Sequence, residues 1–130
     1  MATGFPAATG DVLSAAMYNG LVAFTVSADQ TSDYTAVLAD GYQALIPMNK
    51  ATAIAFKIPT NASVAFPVGT TINIVNQSSS SMTIATQAGN VNLYMAGNST
   101  AANRVVGTYG MATLLKVASD TWFINGTGVY

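Results

Sequence analysis

A chain of 130 residues with a net charge of -1, no cysteine, no histidine and only 7% charged residues has the size of one domain, with a core that needs neither disulfide nor metal. The missing residue types exclude thiol and imidazole chemistry and metal sites built on them, and Lys50, Lys57, Arg104 and Lys116 are too scattered to track a nucleic-acid backbone. Hydrophobic residues make up 51% of the chain, more than one small core absorbs, so some of that apolar surface is expected to face a partner.

Residues 1–9 are small, uncharged and interrupted by Gly4 and Pro6, which predicts an extended arm with Phe5 as its single large anchor. Residues 10–20 predict a short helix, with Asp11 able to cap its start and Asn19-Gly20 able to end it. Two turns are too few to stand alone, so this helix is expected to pack on the sheet or on another subunit. Phe5, Leu13, Met17 and Tyr18 are therefore the candidate assembly contacts. The arm and helix form the expected N-terminal segment, 1–20, and a β domain is expected over 21–130.

Past Leu21 the chain breaks into short runs rich in Val, Ile, Thr, Phe and Tyr, bounded by Gly, Pro, Asn, Asp or Ser. Strands are predicted over 21–27, 34–39, 43–48, 52–58, 62–66, 70–77, 81–86, 91–95, 104–107, 111–118 and 121–125. Alternation is clearest in Ile54, Phe56 and Ile58, and in Ile72 and Ile74. Pro67-Val68-Gly69 reads as a turn, Ser78 to Ser81 as a flexible tip, and Ala118-Ser119-Asp120 as the bend of a closing hairpin. The expected fold is all-β, an antiparallel β-sandwich or barrel with a short N-terminal helix and an extended arm. No internal repeat is visible.

The residues offer little chemistry. Glutamate is absent, and Asp11, Asp29, Asp33, Asp40 and Asp120 all sit beside turns or a helix start, where aspartate ties the backbone. Asp29, Asp33 and Asp40 lack the spacing of a calcium loop, and Gly107-Thr108-Tyr109-Gly110 precedes a strand-like run, so it reads as a turn and not as a phosphate loop. Asparagines 61, 76, 98 and 125 head Asn-x-Ser/Thr triplets, but no basic region precedes an apolar core at the N-terminus, so neither secretion nor glycosylation is expected. Pro59, Pro67 and Gly69 break the charge-free stretch between Lys57 and Arg104, which rules out a membrane-spanning helix there. Trp122, flanked by Phe123 and Ile124, reads as a core or rim anchor, with stacking on sugars as the alternative. No catalytic, cofactor-binding or metal-binding residue is expected, and no enzyme.

Gly10-Asp11-Val12-Leu13-Ser14-Ala15-Ala16 followed by Asn19 is similar to openings that recur in structural proteins of tailed bacteriophages. Tyr34, Ile58-Pro59 with Asn61, Phe66-Pro67-Val68-Gly69-Thr70 and the closing Lys116, Asp120, Trp122 and Gly126 resemble a β-rich phage domain that ends in a Lys-x-x-x-Asp-x-Trp hairpin. The likeness stops over 90–104. It implies a virion part, commonly trimeric, with no catalytic residues to carry over. With about 20 residues before the β domain there is room for an arm and no shaft, so the expectation is a capsid decoration, or cement, protein that binds the major capsid protein on the particle surface as a homotrimer. The alternative is a tail-fibre or adhesin domain that binds a host receptor or glycan through Tyr94, Tyr109 or Trp122.

Overall fold

The computed structural model describes residue 15 and residues 25–130. Among the described residues, alternating apolar residues build nine strands: β1 (Tyr34–Thr35), β2 (Ile46–Met48), β3 (Ile54–Ile58), β4 (Thr71–Asn76), β5 (Met82–Thr86), β6 (Asn92–Met95), β7 (Arg104–Val106), β8 (Met111–Ala118) and β9 (Thr121–Asn125). They form two sheets, ordered β1-β3-β5-β7 and β2-β4-β8-β9-β6. The inward row of each strand meets the other sheet, and Phe56, Ile58, Met82 and Ile84 from the first join Ile72, Ile74, Leu114, Trp122 and Ile124 from the second in one buried cluster. The mostly-β, two-sheet expectation is thus met.

The expectation of antiparallel sheets is not. β1, β3 and β5 run parallel, as do β2 with β4 and β6 with β9; among these strands the antiparallel pairs are β4 with β8, β5 with β7 and β8 with β9. The reason is the path of the chain. From β1 to β5 successive strands fall in opposite sheets, so the chain returns to each sheet after passing through the other and arrives in its original direction. Period-2 alternation sets which face is buried and is silent on the direction of a neighbour. Two of its turns share a pitch: Ile46 pairs with Ile74 in one sheet and Ile54 with Met82 in the other, an offset of 28 residues both times, whereas Tyr34 pairs with Phe56. Ile46-Pro47-Met48 and Ile74-Val75-Asn76 share only their first residue, so this stacking is invisible as a sequence repeat.

Three local expectations also change. The run 34–39 is strand only at Tyr34–Thr35 and then enters a 3-10 helix, Leu38–Tyr42, because the buried Asp40 carboxylate accepts from the Val37 N–H at 2.8 Å and from the Tyr34 hydroxyl at 2.8 Å. Residues 62–66 form no strand; the N–H groups of Ser63 and Val64 both return to the Thr60 carbonyl, closing a turn. The serine run does link two strands, but it is a tied corner between the sheets: Ser78 Oγ accepts from the Lys50 N–H at 3.0 Å and the Ser78 N–H donates to Asn76 Oδ1 at 2.9 Å.

Both turn expectations near the second sheet hold. Thr70 N–H closes on the Pro67 carbonyl over Gly69, whose φ of +94° suits glycine. The Gly107 to Gly110 turn closes with a 2.9 Å bond from the Gly110 N–H to the Gly107 carbonyl and carries Tyr109 exposed at its tip. The stretch 90–104 supplies β6 and the start of β7. Of the expected N-terminal helix only Ala15, helical and exposed, falls among the described residues; Phe5, Leu13, Met17 and Tyr18 lie outside them.

Candidate assembly surface

The closing hairpin is formed by β8 and β9, with Ala118 paired to Thr121 and Asp120 in the left-handed conformation at φ 54°, a conformation its short polar side chain tolerates. Its two faces do different work. Inward lie Ala112, Leu114, Lys116, Trp122 and Ile124, all buried. Lys116 Nζ donates to Asn61 Oδ1 at 2.6 Å and to the Phe66 carbonyl at 2.7 Å. Asp120 accepts from the Asn61 N–H at 2.7 Å, and Trp122 meets the Phe66 ring edge-on with centroids 5.5 Å apart. Lysine, aspartate and tryptophan of the terminal motif therefore hold one loop, residues 59–70, against the sheet. Trp122 is 1% exposed, so its faces are closed to a sugar.

The outward face is apolar at its centre. Leu115, Val117 and Phe123 are 39%, 41% and 38% exposed. Register aligns Thr71, Leu115, Phe123 and Tyr94 in one row across β4, β8, β9 and β6, and the rings of Tyr94 and Phe123 lie 5.5 Å apart. Asn73, Thr113 and Asn125 form the next row, in which Thr113 Oγ1 donates to Asn73 Oδ1 at 2.7 Å. A groove of about 430 Å³ runs between Ala96, Leu115, Val117 and Phe123. The outward positions of β4, β6, β8 and β9 carry no charged residue.

The carboxylates of the other described aspartates are occupied in holding loops, while Nε of the buried Arg104 has no hydrogen-bond partner among the described residues. Asp29 Oδ2 accepts from Asn49 Nδ2 at 3.1 Å and Asp33 Oδ1 from the Ala55 N–H at 3.0 Å, so Asp29, Asp33 and Asp40 tie three separate segments. No group of three or more histidine, cysteine or acidic residues that could hold a metal occurs among the described residues. Arg104, also buried, donates from Nη2 to the Thr100 carbonyl. Asn76 is fully buried, with Nδ2 directed at the carbonyls of Ser80, Val106 and Gly107. It offers no acceptor site for a glycan. The Tyr34 hydroxyl has its pKa raised by its burial first and then by its hydrogen bond to Asp40 and the charge of that carboxylate.

The outward apolar row was missed in sequence because the strand Met111–Ala118 carries apolar residues on both faces and one lysine. Polarity alone would turn Lys116 to solvent and Leu115 and Val117 inward; the structure does the reverse. The signal that could have found it is parity with the tryptophan, since Trp122 and Ile124 inside force Phe123 outside. The chain matches no known protein family, no curated protein and no solved structure.

Proposed function

We propose that this protein is a structural subunit of a virus particle, a decoration protein that binds the outer surface of a tailed-phage capsid as a homotrimer and clamps the shell by buried area. The observation that carries the assembly part is the uncharged apolar row of Leu115, Phe123 and Tyr94 standing out from the five-stranded sheet. Rigid, charge-free, partly exposed apolar patches are the usual centres of protein interfaces. A non-enzymatic role is supported by what the carboxylates do: Asp29, Asp33, Asp40 and Asp120 each accept a hydrogen bond that fixes a loop. The virion context rests on the likeness of Gly10 to Ala16 and of Lys116, Asp120 and Trp122 to phage structural proteins.

An adhesin is the second reading, favoured by the pairing of half-buried Tyr94 with exposed Phe123, which presents aromatic surface of the kind that stacks on sugars. Sedimentation of the purified chain with a panel of expanded tailed-phage capsids, beside binding to bacterial envelopes, separates the two. A decoration protein co-sediments with capsids and raises the temperature at which they release DNA. Binding to envelopes and to none of the capsids would replace decoration with the adhesin.

A further inference from the structure

We propose that the outer face of the five-stranded sheet is the surface through which one copy of this chain meets another, apolar row against apolar row. This rests on the assembly reading above and names one contact within that assembly: a face that meets itself is two-fold and joins copies in pairs, so a trimer needs a further, different contact. Leu115, Phe123 and Tyr94 lie side by side on β8, β9 and β6. Their strands are pinned from beneath by Leu114, Trp122 and Leu93, each at most 1% exposed. The row is therefore ordered before any partner arrives, and little conformational entropy remains to be lost on contact.

The occupant follows from charge and from hydrogen-bonding capacity. The outward positions of β4, β6, β8 and β9 hold no Lys, Arg or Asp, so an acidic or basic partner finds nothing to pair with. An anionic lipid surface lacks the cations it would attract. A second copy brings an equally neutral face, and no charge has to leave water when the two meet. The border is suited to itself as well. The amides of Asn73, Asn125 and Asn92 and the hydroxyl of Thr113 each both donate and accept, so the same group can serve on either side of a symmetric contact. The groove of about 430 Å³ between Ala96, Val117 and Phe123 gives a protruding side chain of the other copy a place to enter.

Leu115→Asp and Phe123→Asp test this, with the emission of Trp122 reporting that each variant is folded, since that ring lies on the opposite face. The expected result is an oligomer for the native chain at micromolar concentration and a loss of association of at least about tenfold in each variant, about 1.4 kcal/mol, with Trp122 emission unchanged. Because the chain has no cysteine, Thr113→Cys supplies a second measurement that leaves the apolar row intact. A bis-maleimide of about 10 Å, the spacing of stacked sheets, should join two copies. A monomeric native chain, variants that keep the native mass, or an unlinked Thr113→Cys oligomer would overturn the proposal. So would a native monomer whose sugar binding disappears in Phe123→Asp, which would give the face to a glycan. A monomer that still binds capsids would remove this interface and leave decoration standing; an oligomer lost on Phe123→Asp that binds no capsid would do the opposite.

Discussion

Lys116 Nζ donates to Asn61 Oδ1 at 2.6 Å, although the two residues are 55 positions apart in the chain. The lysine enters from β8 on the inward face, beneath the loop that Asn61 opens, and its second acceptor is the carbonyl of Phe66 near the loop's other end. No carboxylate lies within salt-bridge distance of it among the described residues. Asn61 is also held by its own N–H, which donates to Asp120.

Removing the lysine leaves the half-buried Asn61 Oδ1 and the buried Phe66 carbonyl without their donor, and a buried orphan costs about 1–3 kcal/mol, a half-buried one less. Lys116→Ala should therefore lower the unfolding free energy by about 2–4 kcal/mol, read from a denaturant midpoint. Lys116→Arg, which restores a charge without the compact geometry, should recover only part of it. An Ala variant as stable as the native chain would show that the loop is held by the rings alone.

Those rings make their own contribution. Phe66 packs edge-on against Trp122 within the buried core, so Phe66→Ala should cost about 3–5 kcal/mol and shift Trp122 emission to the red as water reaches the indole. In the native chain a neutral quencher such as acrylamide should reach Trp122 poorly. Ready quenching would contradict its burial.

Gly126 follows β9 where the backbone passes over β8, and a Cβ added there would stand 1.9 Å from the Met111 carbonyl oxygen. Neither backbone can yield without breaking the pairing of Thr113 with Asn125. Gly126→Ala should destabilise the fold by more than about 3 kcal/mol, visible as a fall in melting temperature or as insoluble expression. Gly89→Ala, where a Cβ meets nothing within 4 Å, is the matched control and should change stability little.

Tyr34 donates to both oxygens of Asp40, at 3.0 and 2.8 Å, and its phenol is pushed up from its ordinary value. The folded chain then keeps a proton that the unfolded chain releases above about pH 10. Stability from this contact is complete below that pH and falls as pH climbs toward the folded pKa. Tyr34→Phe should be less stable at neutral pH by about 1 kcal/mol. It should also lose stability less steeply than the native chain between pH 10 and the alkaline limit. Parallel curves for the two proteins would refute the link.

Much of the fold was legible where alternation is strict. Ile54, Phe56 and Ile58 and then Ile72 and Ile74 show their buried face directly, and β3, β4 and the β8–β9 hairpin stand where the sequence puts them. Strand direction was not legible, because the parallel pairs β1–β3–β5 and β2–β4 arise from the path between sheets, which no local pattern records. Asp40 redirected a run that reads as strand, using its side chain to accept the Val37 N–H. The charge-poor composition raised the expectation of a partner, but Lys116 disguised where the exposed apolar row lies: a lysine inside and a leucine outside invert the polarity rule that assigns faces. The contacts of Lys116 with Asn61 and with the Phe66 carbonyl, both far away in sequence, explain that inversion.

The most direct test of the central claim is the solution mass of the native chain by light scattering over a dilution series, at moderate and at high salt. Association through a neutral apolar face has no exposed charges to screen, so the account predicts a stable oligomer of at least two copies, whose mass holds or increases as salt is raised. A monomer at micromolar concentration in both buffers, or an oligomer that dissolves in high salt, would contradict it.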